Sequence, residues 1–280
     1  MKRLLPVLNI IALLATIAIS YLSMTGIFNG NTMATQSARY PTLFTPAPWA
    51  FSIWGLIYFA LGAFVIFQAR AIVRPRNPSQ TRAIVQPRNS SQAIAADEAD
   101  TLQKQIGGWF LLSCIANSCW VIAWMYDQAG LSVLIMIVLL FSLFKIILRT
   151  DMELTDAPLR IIASVWWPFC LYTGWITVAL LTNISAWFVS IQWDGFGLSP
   201  TVRAIIMTIM AGAVYLFMTW RRNMREYGFV GVWALIGVAM ADRDRAPAVT
   251  ITAFVVAGIL VISSSVHGYR NRAYSPFRKR

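Results

Sequence analysis

Eight apolar stretches dominate this chain, running roughly over Leu4–Ile27, Trp49–Phe67, Ile106–Met125, Leu131–Ile147, Ile161–Thr182, Val202–Trp220, Tyr227–Ala241 and Ala248–Val266. Most are about 17–25 residues long. A helix rising about 1.5 Å per residue needs about that length to cross a hydrocarbon core of about 30 Å. The expected fold is therefore an all-α, polytopic transmembrane helix bundle of about eight spans, with the lipid bilayer as its first partner.

Dealing the connecting segments alternately to two sides places 19 of the 23 Lys and Arg residues on one of them. That side collects Lys2 and Arg3; Arg70, Arg74, Arg76, Arg82, Arg88 and Lys104; Lys145, Arg149 and Arg160; Arg221, Arg222 and Arg225; and Arg270, Arg272, Arg278, Lys279 and Arg280. The other keeps Arg39, Arg203, Arg243 and Arg245. Basic loops are retained in the cytoplasm, so a multi-pass protein of the plasma (inner) membrane with both termini cytoplasmic is expected. A net charge of +12 on a soluble domain would suggest nucleic acid. Spread over short loops, it is accounted for by topology, and no nucleic-acid partner is expected.

Two segments leave alternatives open. Tyr227–Ala241 is about 15 residues, or about 22 Å of helix, and reads either as a short span or as a half-helix that dips and returns. The latter would put the basic C-terminal tail outside, against the charge bias. Lys2-Arg3 before an apolar run resembles a signal peptide, but the run is long and no clear small-residue cleavage site precedes Tyr21, so an uncleaved first span is expected. Between the second and third spans lies one long loop, residues 71–104. It carries a near-tandem duplication, Arg70-Ala-Ile-Val-Arg-Pro-Arg-Asn-Pro-Ser-Gln then Arg82-Ala-Ile-Val-Gln-Pro-Arg-Asn-Ser-Ser-Gln, at a period of 12. Pro, Ser, Asn and Arg favour a solvated, extended cytoplasmic linker, whose arginines are also suited to anionic headgroups.

The spans hold no Asp, Glu, Lys or Arg near their middles; Lys145 and Arg203 sit at span ends, where their stems can snorkel. No relay of the kind that ion-coupled pumps use is visible. The single histidine, His267, ends the last span. Cys114 and Cys119 point about 140° apart on one helix and Cys170 stands alone, so all three read as small apolar residues rather than a disulfide or metal pair. Without a clustered acid, base, nucleophile or metal set, an enzyme is not expected.

The chemistry that remains is aromatic. Trp187, Trp193 and Trp220, near span ends, suit an interfacial belt. Other rings form helical stripes: Trp54, Tyr58 and Gly62 on the second span; Asn117, Trp120 and Trp124 on the third; Trp175, Ala179 and Asn183 on the fifth. Spacing alone is satisfied by helix–helix packing as well as by a pocket.

The run Thr45-Pro-Ala-Pro-Trp-Ala-Phe-Ser-Ile-Trp-Gly-Leu-Ile-Tyr-Phe-Ala-Leu-Gly resembles the second helix of the TspO/MBR family, the tryptophan-rich sensory or translocator proteins. Asn117-x-x-Trp120 is similar to the third-helix signature of that family, and Trp175-x-x-x-Ala179-x-x-x-Asn183 to its fifth. The resemblance covers about Pro6 to Trp193. It divides the chain into a five-helix module, 1–193, and three additional spans with a basic tail, 194–280.

The resemblance implies a five-helix bundle with a cavity roofed by the loop between helices one and two, here Phe28–Pro48. Members bind porphyrins and other flat or sterol-like hydrophobic molecules. Ligand-binding residues by this reading are Trp54, Tyr58, Asn117, Trp120, Trp124, Tyr172, Trp175, Ala179 and Asn183, with Arg39 in the roof facing a ligand carboxylate. No resident cofactor is implied; a porphyrin or haem would be the ligand. Some members dimerise, which makes a homodimer one expected assembly. The physical reading agrees: burying a large apolar ring gains about 25 cal/mol per Å², and stacking adds about 0.5–1.5 kcal/mol. Ala179 leaves room beside Trp175, while Asn117 and Asn183 either orient a ligand or bond across helices. Binding, sensing or transport of such a ligand leads. An enzyme acting on a tetrapyrrole or lipid, and a structural protein with no ligand, are the alternatives.

Overall fold

Helix follows the apolar runs, and turns fall on Gly, Asn, Asp and Pro between them. The computed structural model describes residues 4–73, 91–241 and 243–270. Its helices are α1 (Leu4–Leu22), α2 (Met33–Ala38), α3 (Ile53–Val73), α4 (Ser91–Ile106), α5 (Trp109–Met125), α6 (Ala129–Arg149), α7 (Leu159–Ile161), α8 (Trp167–Ser190), α9 (Pro200–Arg222), α10 (Arg225–Ala241) and α11 (Pro247–Arg270). A 3₁₀ turn, Pro48–Ser52, leads into α3, and a π turn, Ile162–Trp166, joins α7 to α8. The all-α polytopic bundle expected from the sequence is the observed class.

Six described helices are long and apolar enough to cross a membrane, and a seventh span forms if Asp100–Ile106 and Trp109–Met125, bent by 46°, are taken together. The bend sits on Gly107, whose φ of 51° lies in the left-handed region open to glycine. The remaining segment, α10, has 17 residues, about 25 Å of helix. It is unbroken, and its contacts place its two ends at opposite ends of the bundle. Before its N-terminus, Asn223 Nδ2 donates to the carbonyl of Glu153, beyond the end of α6. Towards its C-terminus, its Gly237 carbonyl accepts from the N–H of Ala47, which lies in the segment between α1 and α3. Because α6 begins beside that segment and runs 21 residues away from it, α10 traverses the bundle rather than dipping and returning.

Five helices close into a ring, α1 to α3 to α8 to α6 to α5 and back to α1. The others, α9, α10 and α11, pack on one another and reach the ring through α8 and the 3₁₀ turn. Close approach is what joins the two groups. A Cβ on Gly174 of α8 would meet Val230 of α10 at 3.0 Å, and one on Gly231 of α10 would fall 2.5 Å from the Tyr215 ring of α9. Tyr215 is locked there by donating to the Gly174 carbonyl at 2.9 Å.

Several boundaries differ from the sequence expectation. The first helix ends at Leu22 rather than Ile27, because Gly26, Asn29 and Gly30 take positive φ in a series of turns. The fifth apolar run is helical from Leu159 to Ser190, well beyond Thr182, since the π turn before Pro168 lets the helix continue past a residue with no N–H to donate. In the 71–104 segment, where solvated chain was expected, Ser91–Ile106 is helical; Leu102 and Ile106 bury one face while Lys104 pairs with Asp100 at 3.2 Å. The duplicated stretch itself lies mostly outside the described residues.

Candidate aromatic binding site

Each of three ring helices delivers aromatic side chains to the interior of the five-helix ring. On α3, Trp54 and Tyr58 stack one turn apart with centroids 5.3 Å apart. Trp54 also lies 6.4 Å from Trp120 of α5, near parallel, and 6.0 Å edge-on from Tyr172 of α8. Phe51, in the 3₁₀ turn above Trp54, meets Trp175 edge-on at 5.5 Å. Trp120, Tyr172 and Trp175 are buried and Trp54 and Tyr58 half-buried, so one continuous aromatic wall spans α3, α5 and α8.

Polar groups on this wall divide into paired and unpaired. Asn117 Nδ2 donates to Tyr172 Oη at 2.9 Å, and Tyr58 Oη and Ser20 Oγ share a bond of 2.7 Å. Asn117 Oδ1 and the indole Nε1 atoms of Trp120 and Trp175 are buried without a hydrogen-bond partner. Leaving such a group unpaired away from water costs about 1–3 kcal/mol. An indole N–H can only donate and an amide oxygen only accept, so a molecule meeting all three must carry both kinds of group.

The roof is built as its composition requires. Thr32 caps α2 by accepting from the Thr35 N–H, and Asn29 and Gly30, at φ of 56° and 67°, turn the chain back towards the bundle. Its underside is fixed to the turn between α5 and α6. Gln36 Nε2 and Tyr40 Oη donate to Asp127 Oδ1 at 2.7 and 2.5 Å, and Arg39 approaches Asp127 Oδ2 at 3.6 Å. Tyr40 also lies over Trp124 at 5.6 Å, which joins the roof to the aromatic wall. The hydrogen bond from Tyr40, then that from Gln36, holds the Asp127 carboxyl below its ordinary range. Burial, followed by the bond to Asp127, pushes Tyr40 up to about 12.

The structure brings together Trp54, Tyr58, Asn117, Trp120, Tyr172 and Trp175. Trp124 belongs to the roof contact. Asn183 accepts from Ser132 Oγ at 2.7 Å and thereby joins α8 to α6, the interhelical alternative raised by the sequence. Ala179 is half-buried against the core, one turn from both Trp175 and Asn183. Arg39 is held by Asp127 and by Asn31 Oδ1 at 3.5 Å, so its charge is already engaged. Asp127, Gln36 and Phe51 have no site role in the sequence reading. Asp127 carries a signal in the sequence, as the acidic residue in the short Tyr126-Asp127-Gln128 connection.

Searches among curated proteins and among solved structures gave no match. A family model described as TSPO-like protein matches residues 6–266. The match therefore takes in α9, α10 and α11 as well as the five-helix ring on which the motifs lie. With nearly the whole chain covered, from the first span to the last, this multi-pass membrane protein belongs to the TSPO-like family.

Proposed function

We propose that the protein binds a porphyrin-like or other flat hydrophobic molecule against the aromatic wall, beneath the Asp127-tethered roof, without covalent chemistry. The observation that carries this reading is the trio of buried, unpaired polar atoms, Asn117 Oδ1, Trp120 Nε1 and Trp175 Nε1, set among stacked rings. A flat conjugated ligand bearing both donors and acceptors would relieve their desolvation while burying apolar area. Sensing or transport would follow from how the roof opens. We further propose that the basic end of the bundle faces the cytoplasm, with both termini there, by the same charge bias.

Ring contacts of 5.3–6.4 Å around Trp54 also favour a second reading, in which the wall is packing alone. Titration of intrinsic tryptophan fluorescence with a porphyrin in detergent separates the two. Trp54→Ala, Trp120→Ala and Trp175→Ala should each weaken binding by about 1–3 kcal/mol, and Trp120→Phe, which keeps a ring but removes the N–H, by less. The porphyrin should be recovered chemically unchanged, and uptake into vesicles should not depend on a proton gradient. Unaltered affinity in all the variants would leave the rings as packing; turnover abolished by one of them would indicate an enzyme.

A further inference from the structure

At the basic end of the bundle, residues of α6 and α9 line a cleft of about 400 Å³. This is a volume within the range of small-molecule sites. Phe144 and Leu148 of α6 form one wall, and Phe217 and Met218 of α9 the other. One helical turn further along α9, directly after each of these last two, stand Arg221 and Arg222. The cleft is thus apolar towards the membrane interior and cationic at its mouth.

The two arginines are not consumed by the fold. Arg222 donates through one Nη to the carbonyl of Ile147 at 3.1 Å, yet its Nε is buried without a partner. Arg221 is exposed and, among the described residues, meets no carboxylate, in contrast to Arg160, which pairs with Glu98, and Lys104, which pairs with Asp100. Both walls are open at the surface: Leu148 is 53% and Phe217 60% exposed.

We propose that this cleft is a specific site for one anionic phospholipid, its acyl chain lying between Phe144, Leu148, Phe217 and Met218 and its phosphate held by Arg221 and Arg222. A planar guanidinium grips two phosphate oxygens at once, which a zwitterionic headgroup, carrying its own ammonium, competes against. A free anion gains nothing from the apolar walls. The seated lipid bridges α6 of the five-helix ring and α9 of the C-terminal helices.

The test is native mass spectrometry of the full chain in non-ionic detergent with equal amounts of phosphatidylglycerol and phosphatidylcholine. The unaltered protein should retain one phosphatidylglycerol in preference to phosphatidylcholine. Arg221→Gln should reduce that preference by about fivefold, the effect of one basic residue at an anionic surface. Leu148→Trp, which fills the apolar part of the cleft and leaves both arginines in place, should reduce retention of both lipids. Millimolar inorganic phosphate should not displace the lipid. Equal retention of the two lipids, an unchanged preference in Arg221→Gln, undiminished retention in Leu148→Trp, or displacement by phosphate would each overturn the proposal.

Discussion

Tyr40 Oη donates to Asp127 Oδ1 at 2.5 Å across 87 residues of sequence, and this bond with that of Gln36 fastens the roof to the α5–α6 turn. The pairs are partly exposed, and an exposed ion pair such as Arg39–Asp127 adds little by itself. Their value lies in converging on one carboxylate. Asp127→Ala should therefore leave the helices intact and release the roof. Hydrogen exchange over residues 28–48 should quicken several-fold, with little change in α6 or α8; equal protection would mean that the roof is held by its own turns.

Acid should act on the same contact. The folded-state pKa of Asp127 lies below its unfolded value, so its stabilising contribution is present above about pH 4 and is lost as pH falls through the lowered folded value. Roof exchange should accelerate in acid in the unaltered protein, and this acceleration should be missing in Asp127→Ala.

Glu153 behaves in the opposite sense. Burial, then the neighbouring Glu226, raises its carboxyl to about 8, against the lowering influence of Arg225. The folded state thus holds a proton that the unfolded chain releases near pH 4.3, and stability falls as pH rises from there to about 8, then levels off. Glu153→Gln should remove this part of the slope and raise the midpoint of thermal unfolding at pH 8 relative to the parent. A parallel shift of both curves would contradict the assignment.

Ser132→Ala separates structure from binding. It leaves Asn183 without its 2.7 Å bond between α6 and α8, at a cost of about 1–3 kcal/mol. Unfolding should occur at lower temperature while porphyrin affinity is retained. Loss of affinity with unchanged stability would return Asn183 to the ligand.

Gly231→Ala probes the seam between α9 and α10. The helix-propensity gain of about 1 kcal/mol should be outweighed, because the new Cβ would stand 2.5 Å from a Tyr215 ring fixed by Gly174. An overpacking cost of about 1–3 kcal/mol less that gain leaves a net destabilisation of up to about 2 kcal/mol in detergent unfolding assays. A stabilised variant would show that the seam can open without loss.

What the sequence determined by itself was set by period, length and charge. Apolar runs of membrane-spanning length made helices, basic loops gathered at one end, and the Trp54–Tyr58, Asn117–Trp120 and Trp175 stripes lay on single helix faces before any partner was known. These are local properties, written within a few turns of chain. The tertiary structure alone decided which face met which. It paired Asn183 with Ser132, engaged Arg39 with Asp127, and set Trp124 against Tyr40 of the roof. It also carried α10 from one end of the bundle to the other, where length alone left a shallow dip as the rival reading. The physical reason is common to all four. A side chain's stripe on its own helix follows from the 3.6-residue period, but its partner is chosen by packing between helices far apart in sequence, where one close approach at Gly174 or Gly231 fixes the position of a whole helix.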